Sequence, residues 1–371
     1  LTAQPSSASS LPPSSRLTRL GWSASWQSDL ASLGGGALSP ARVAEEHRDG
    51  YVVFTQDGAL RATISGRLRH EAHDPRDLPA VGDWTAVDAA PGASGATIRH
   101  VLPRRSALVR KAAGTRTDAQ VVAANVDLVF VVTSANQDFN ASRLARYLTA
   151  VWESGAQPVV LVTKADLADD VGPYVSDAAA SAPGADVLAV STVDDRGVEE
   201  VTGRLVAGTT AAFVGSSGVG KSTLVNRLLG EARLAVRAVR EHDDRGVHTT
   251  TSRQLVELPS GASVIDTPGM RELLPWDAAG GLAAAFADVE QLAAGCRFRD
   301  CRHATEPGCA VLAATEDGSL PRERYEQWQA LGRELAYLER KENVHAMQEE
   351  RRRWKAISKQ ARAITRRKGA V

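Results

Sequence analysis

Residues 215–222 read Gly-Ser-Ser-Gly-Val-Gly-Lys-Ser, a complete G-x-x-x-x-G-K-[ST] pattern, preceded by the apolar run Ala211 to Val214 and followed by a helical pattern starting near Lys221. Few architectures admit this combination, because it needs a strand, a tight turn and a helix start in direct succession. In such a turn the backbone N–H groups of Gly215, Ser216, Ser217, Gly218, Val219 and Gly220 point inward around phosphates, and the helix N-terminus favours their negative charge. Lys221 would reach the terminal phosphates, and the Ser222 hydroxyl, beside Thr223, would ligate Mg²⁺.

Apolar strands DLVFVVTS, PVVLVTKAD, DVLAVST and AAFVGSSG alternate with helical patterns at Ser142 to Ser154, near Ala178 and at Gly197 to Ala207. Near-continuous apolar strands separated by helices predict an α/β unit over 113–277, a parallel sheet with helices on both faces. Asp266-Thr267-Pro268-Gly269 follows the strand Ala262 to Ile265. An Asp at that strand end can hold Mg²⁺ through water, and the Gly269 N–H can contact a γ-phosphate. Between the two motifs, Gly246-Val247-His248-Thr249-Thr250-Thr251 supplies hydroxyls, and Thr250 is the candidate to complete the Mg²⁺ shell. Upstream, Thr163-Lys164-Ala165-Asp166 ends the strand Pro158 to Val162. A carboxylate at Asp166 would accept from the N1 and N2 hydrogens of guanine; adenine has an acceptor at N1 and no 2-amino group. Lys164 would lay its aliphatic stem on the base, and Ser191-Thr192 would close the pocket by backbone N–H contact to the guanine oxygen.

The flanks read differently. Ala41 to Leu102 contains five short β-like segments, ARVAEEH, YVVFTQ, ALRATISG, DWTAVDA and ATIRHVL, which fit a small β-barrel over 39–112. An OB-fold is the preferred form, although an SH3-like barrel has much the same pattern. Residues 1–38 read as a disordered or poorly ordered tail, with a Ser/Pro-rich start that lacks the apolar core of a secretory signal. Residues 278–371 are helical and charged. All three cysteines, Cys296, Cys301 and Cys309, fall within fourteen residues together with His303. An odd, clustered set points to metal and away from disulfides; three thiolates and one imidazole suit tetrahedral Zn²⁺ with no open position, hence a structural site.

A length of 371 residues predicts two to three domains, and 43% hydrophobic with 24% charged residues is a globular composition. No window approaches the ~18 consecutive apolar residues of a membrane span, and the expected compartment is the cytoplasm. Forty-four basic residues balance 44 acidic ones, which argues against a generic polycation. Locally, Arg99 to Arg116 holds six basic residues and no acid. Arg340 to Lys368 holds eleven Lys/Arg against three Glu, with Arg351, Arg352, Arg353 and Lys355 around Trp354. Both stretches are candidate surfaces for RNA phosphates, and Trp354 is available for stacking.

The motifs run in an unusual order, base motif at 163–166, phosphate loop at 215–222 and switch at 266–269, which resembles a circularly permuted GTPase. The segments QVVAANVD, LVTKADL, VGSSGVGKSTLVN, HTTT and VIDTPGMRE, with the cysteine pattern, resemble the ribosome small subunit-dependent GTPase A family (RsgA/YjeQ type) over about 40–310. That resemblance implies hydrolysis of GTP to GDP and phosphate with Mg²⁺, one Zn²⁺ per chain, and stimulation by the small ribosomal subunit during its late maturation. It implies binding to rRNA, no membrane or DNA partner, and a monomer. It also implies catalytic roles for Lys221, Thr250 and His248. Signalling GTPases orient the attacking water with a Gln after the switch glycine, whereas this chain has Met270; His248 is implied to do so instead. Thr163 departs from the family's usual Asn, which leaves one hydrogen bond to the base or the phosphate loop to be accounted for. Two other classes stay open on the residues alone: a P-loop ATPase or kinase, and a non-catalytic RNA-binding scaffold.

Overall fold

The structure, a computed structural model, describes residues 15–34, 38–90, 92–111, 119–231, 253–266 and 278–337. Five strands, β1 (Ser39–His47), β2 (Gly50–Phe54), β3 (Ala59–Ile64), β4 (Trp84–Asp88) and β5 (Gly95–Val101), form a closed barrel in the order β1-β2-β3-β5-β4, with β4 pairing back onto β1. The β3–β5 pair is parallel and the others are antiparallel. Helices α1 (Arg16–Arg19) and α2 (Ala24–Ser32) precede the barrel, and a short helix between β3 and β4, α3 (Gly66–Glu71), supplies the crossover that a parallel pair requires. These features make the barrel an OB-fold and remove the SH3-like alternative. Ala41, Val43, Val53, Ala62, Val87 and Ile98 fill its interior.

A separate antiparallel pair, β6 (Ala107–Lys111) with β7 (Ala119–Ala124), leads into the α/β unit and spans the 112/113 division made from the sequence. The main sheet contains β8 (Leu128–Ser134), β9 (Gln157–Thr163), β10 (Asp186–Ala189), β11 (Thr210–Gly215), β12 (Gln254–Glu257) and β13 (Ser263–Asp266). Their order is β10-β9-β8-β11-β13-β12; only β12 runs antiparallel. The strands read as unbroken apolar runs because both faces are covered. Val129, Val131, Val160, Val162, Ala212 and Val214 join one core, while Phe130, Val132, Val159, Leu161, Ala211 and Phe213 join the other. This is the period-two alternation of a buried parallel strand. Helices α4 (Ala141–Ser154), α5 (Gly172–Ser181), α6 (Val198–Arg204) and α7 (Lys221–Leu229) connect them.

Barrel and main sheet are continuous, since β12 pairs with β1 through Gln254 and Glu45. Beside that seam, Arg253 reaches Glu46 at 3.2 Å and Gln120 at 3.0 Å. The assignment of 1–38 to a tail does not hold for 15–34. Leu17, Leu20, Trp22 and Trp26 are buried, and Trp22 stacks edge-on to Trp84 of the barrel at 4.8 Å. Four large apolar side chains outweigh the Ser/Pro-rich start once a surface is available to cover them. The buried guanidinium of Arg42 then ties the segment down. It donates to the carbonyls of Leu20, Gly82 and Asn125, which belong to the N-terminal segment, the barrel and the approach to β8.

Arg99 to Arg116 does not form one basic face. Arg104 makes a two-pronged contact to the fully buried Asp83, at 2.8 and 2.7 Å, while Arg105 lies 3.9 Å over Trp26 and Arg99 pairs with Asp88. Arginine's fork and planar face suit it to such internal work. Residues 112–118, with Arg116, lie outside the described residues, as does the second basic stretch, Arg340 to Lys368, with Arg351, Arg352, Arg353, Trp354 and Lys355.

The C-terminal part contains α8 (Ala278–Ala285), α9 (Ala287–Ala293), α10 (Ala310–Glu316) and a helical run over 322–337, around Phe286, Val289, Val311, Leu320 and Leu331. It docks on the α/β unit. At Gly281 a Cβ would stand 2.5 Å from the Thr149 carbonyl of α4, so only glycine permits this helix contact. Arg324, 4% exposed, clamps Asp288 and reaches the Ser181 carbonyl at 3.3 Å.

Candidate nucleotide and metal sites

The nucleotide candidates gather along one edge. In the parallel sheet the carboxyl ends of β10, β9, β8, β11 and β13 lie side by side, and they deliver Ser191, Thr163, Ser134, Gly215 and Asp266 respectively. The direction of chain growth reverses between β8 and β11, the crevice where open α/β sheets bind ligands. Two strand spacings separate β9 from β11, about 10 Å, which suits a base at one end and phosphates at the other.

Gly215 ends β11 at φ +144, with a Cβ-to-Val132 carbonyl separation of only 2.2 Å were it any other residue. Residues 216–220 turn, and Lys221 opens α7 with Ser222 and Thr223 half-buried on its first turn. The Lys221 ammonium donates to the carbonyls of Gly215, at 2.7 Å, and Ser216, so it closes the loop as a ring. Asp266 is half-buried beside the end of β11. Thr249, Thr250, His248, Gly269 and Met270 lie outside the described residues.

Thr163 has a clear role. It is buried, and its hydroxyl lies 2.8 Å from the Thr133 carbonyl and 2.6 Å from the Val219 carbonyl of the phosphate loop. One hydroxyl hydrogen serves either acceptor, so Thr163 tethers the loop to the base strand. Thr163→Val keeps the shape and removes the donor, leaving a buried carbonyl without its partner at a cost of ~1–3 kcal/mol. GDP dissociation is expected to quicken by about tenfold, with Thr163→Ser close to the parent, as read by fluorescent-GDP release.

Lys164 adopts φ +56, which turns the chain so that exposed Asp166 stands on the following turn. Arg196 reaches the neighbouring Ala165 carbonyl at 3.4 Å. The N–H of Ser191 is already committed to the Arg196 carbonyl at 2.9 Å, and its hydroxyl accepts from Val193 N–H at 3.1 Å. Ser191 therefore shapes the turn, and Thr192 is left as the candidate for the base oxygen. Tyr147 was not foreseen: from the buried face of α4 it hydrogen-bonds Ser216, and burial raises its phenol above the ordinary value. In the sequence it is one more apolar-face residue of an amphipathic helix.

The four metal candidates converge. Their ligand atoms all lie within 4.8 Å of one another. Cys296 Sγ to Cys309 Sγ is 3.9 Å, and His303 Nδ1 lies 3.4 and 3.3 Å from those two sulfurs. Zinc bond lengths of 2.3 Å to sulfur and 2.0–2.1 Å to nitrogen give tetrahedral edges of about 3.8 and 3.6 Å. The residues fit the ion. Desolvation, with the sulfurs of Cys309 and Cys296 alongside, pushes the Cys301 thiol up to about 11, while at Cys296 desolvation is outweighed by the backbone N–H groups of Ala310 and Val311, which lower its thiol, so a cation among the four is what would keep Cys301 ionised near neutrality. The Tyr325 hydroxyl donates to the His303 carbonyl and holds that residue at φ +55.

Glu306 is the other unforeseen residue, since nothing in its local sequence marks it. Its carboxylate accepts from the N–H groups of Ala304 at 2.9 Å, Thr305 at 3.0 Å and Arg302 at 3.1 Å, which lowers it to about 2. A depressed carboxylate adds stability that is present above its ordinary value of 4.5 and is lost as pH falls through about 2. Glu306→Gln is expected to release the metal at a higher pH than the parent in an acid titration followed by a chromogenic zinc indicator.

A phosphate loop at the switch point of a parallel sheet, with its base motif earlier in the chain and an OB-fold in front, defines a circularly permuted P-loop GTPase. YjeQ from Thermotoga maritima shares this fold at a TM-score of 0.62 and 23% identity, over 81% of this chain and 99% of that one. YloQ, a circularly permuted GTPase, does so at 0.59 and 23%, over 81% and 96%. A family model described as RsgA GTPase matches residues 101–276, and one described as 50S ribosome-binding GTPase matches 210–359, starting at β11. The small ribosomal subunit biogenesis GTPase RsgA 1 of Oceanobacillus iheyensis is 46% identical over 86% of this chain and 92% of its own length. The RsgA of Streptomyces coelicolor is 43% identical over 94% and 95%. At that identity and coverage the chain belongs to the RsgA GTPase family, which displaces the ATPase, kinase and scaffold alternatives.

Proposed function

We propose that this chain hydrolyses GTP to GDP and phosphate in the biogenesis of the small ribosomal subunit, stimulated by that subunit and in contact with its rRNA. The observation that carries the reading is the permuted order of base and phosphate motifs along one sheet edge. In the chain it sets the OB-fold ahead of the base strand and the metal module after Asp266, one on each side of the GTPase unit.

Asp166 selects guanine, with Thr192 and the Lys164 stem completing the base contacts. The loop N–H groups and Lys221 hold the terminal phosphates in ground and transition states. Mg²⁺, when bound, neutralises phosphate charge; Ser222 and Thr250 are its ligands, with Asp266 acting through water. His248 orients the attacking water and Gly269 senses the γ-phosphate. Zn²⁺ is held once per chain by Cys296, Cys301, His303 and Cys309 as a structural ion. The protein acts as a cytoplasmic monomer, without membrane or DNA partners; among the described residues no helix is long and apolar enough to cross a membrane. Multiple-turnover phosphate release is expected to rise well above the basal rate when purified small subunits are added, and ADP is expected not to compete with GDP. Equal rates with and without subunits would defeat the reading.

A further inference from the structure

The turn between Cys296 and His303 carries an aromatic and cationic surface that none of the roles above uses. It reads Arg297-Phe298-Arg299-Asp300, then Cys301 and Arg302, and Arg297, Phe298, Arg299 and Arg302 are all exposed. Phe298 is 41% exposed, and the Arg297 guanidinium lies 5.5 Å from the centre of its ring. None of the three arginines forms an ion pair among the described residues, whereas Arg67, Arg76, Arg99 and Arg227 are each paired with a carboxylate. Asp300, exposed on the same turn, pairs with none of them among the described residues, and the carboxylate of Glu306 is taken up by backbone N–H groups. The turn is anchored at both sides by metal-ligand candidates and by the Arg297 N–H bond to the Gly308 carbonyl at 3.1 Å. Its side chains are therefore presented from a rigid base.

A single exposed ring is ordinary on a protein surface; what sets Phe298 apart is that it shares one short turn with three exposed guanidinium groups. Its neighbours along the turn, Arg297, Arg299 and Asp300, are all charged. Guanidinium groups without carboxylate partners beside a partly exposed ring match the chemistry of a nucleic-acid strand, phosphates for the forks and a base for the ring. We infer that the Arg297–Arg302 turn of the metal module is a docking surface for single-stranded RNA, with Phe298 stacking on one unpaired base and Arg297, Arg299 and Arg302 on the flanking phosphates. This rests on the reading that the chain works on rRNA, and it names the surface and the state of RNA recognised.

The test uses the full chain loaded with zinc and a fluorescein-labelled, mixed-sequence single-stranded RNA, with a blunt duplex of the same length as comparator, followed by anisotropy over a salt series. Phe298→Ala is expected to weaken single-strand binding by at least ~fivefold while changing duplex binding little, and Phe298→Trp to retain it, because stacking asks only for a ring. The triple change Arg297→Ala, Arg299→Ala, Arg302→Ala is expected to reduce the log–log salt slope by about 2. Metal analysis of each variant separates a lost surface from a lost fold. Should Phe298→Ala shed zinc, the Trp variant and the triple variant, which leave all four ligands in place, still decide. Unchanged affinity in Phe298→Ala together with an unchanged slope in the triple variant would overturn the inference. So would a loss seen only with intact small subunits and not with naked RNA, since it would assign the turn to a protein partner. Subunit-stimulated GTP turnover reports separately on the functional reading, so the two can fail independently.

Discussion

Asp166→Asn is expected to lose GDP affinity by about 10²- to 10⁴-fold and to gain affinity for xanthosine diphosphate. Two hydrogen bonds to a charged acceptor, each ~1.5–3 kcal/mol, are removed, and tenfold corresponds to 1.4 kcal/mol. The amide that replaces one carboxylate oxygen is a donor facing the donor groups of guanine, so the loss exceeds that of a missing contact. Xanthine carries a carbonyl at C2 that can accept from this amide. The position supports a side-chain role: Asp166 is exposed on the turn after β9, beyond the tether made by Thr163, and no hydrogen bond among the described residues occupies its carboxylate. Calorimetric titration with GDP, ADP and xanthosine diphosphate measures the result. Parent-like GDP binding in Asp166→Asn would remove Asp166 from the base site.

The parts legible in the sequence were those whose physics is local. The phosphate loop, the buried strands and the Cys/His spacing each depend on a few neighbouring residues, and each lies in the structure where its pattern placed it. Barrel strands were readable from alternation, but their closure was not. The parallel β3–β5 pair joins segments more than thirty residues apart, and no local pattern encodes it. Thr163 illustrates the same limit at the site. Its hydroxyl was visible, but its acceptors sit on β8 and on the phosphate loop, and only the strand order β9-β8-β11 brings those three together.

Charge misled where burial intervened. Arg104 reads as part of a basic surface because the nearest acid in sequence is distant. Asp83, twenty-one residues away, becomes its partner through the turn that leads into β4. Burial alone would raise the Asp83 carboxyl, and Arg104 opposes this by hydrogen bonding and charge. The tail assignment failed for a related reason: composition averages over 1–38, while Leu17, Leu20, Trp22 and Trp26 act individually on the surface that Trp84 and Arg42 present. The turn at Arg297–Arg302 went unread because its three arginines are interleaved with metal ligands and so form no run.

Removing zinc should have the largest effect on stability and almost none on nucleotide. Metal binding to small zinc modules contributes ~10–16 kcal/mol of apparent folding free energy, comparable to or above the ~5–15 kcal/mol that stabilises a whole domain. The module here encloses few large apolar groups, chiefly Phe286, Val289, Val311, Leu320, Leu331 and Leu335, and the loop from Cys296 to Cys309 has little else to fold around. Cys301→Ser replaces a soft thiolate by a hydroxyl of similar size, so packing is nearly unchanged while one of four ligands is lost. The variant is expected to purify with well under one equivalent of zinc and to show fast hydrogen exchange over 296–320. Exchange over β8, β9 and β11 should stay at parent levels. GDP affinity should change by no more than about twofold, because the base and phosphate contacts lie in the other two hydrophobic cores and distant sites perturb each other by only ~0.3–0.5 kcal/mol. Contact between the two parts includes Gly281 of α8 packed against α4, Ala145 of α4 in the core of the metal module, and Arg324 reaching the Ser181 carbonyl; none of these residues is a candidate metal ligand. A full zinc equivalent in Cys301→Ser would remove that cysteine from the ligand set. A loss of GDP binding that tracks zinc loss would show that the metal module supports the nucleotide site, through α4 and its Tyr147 contact to the phosphate loop.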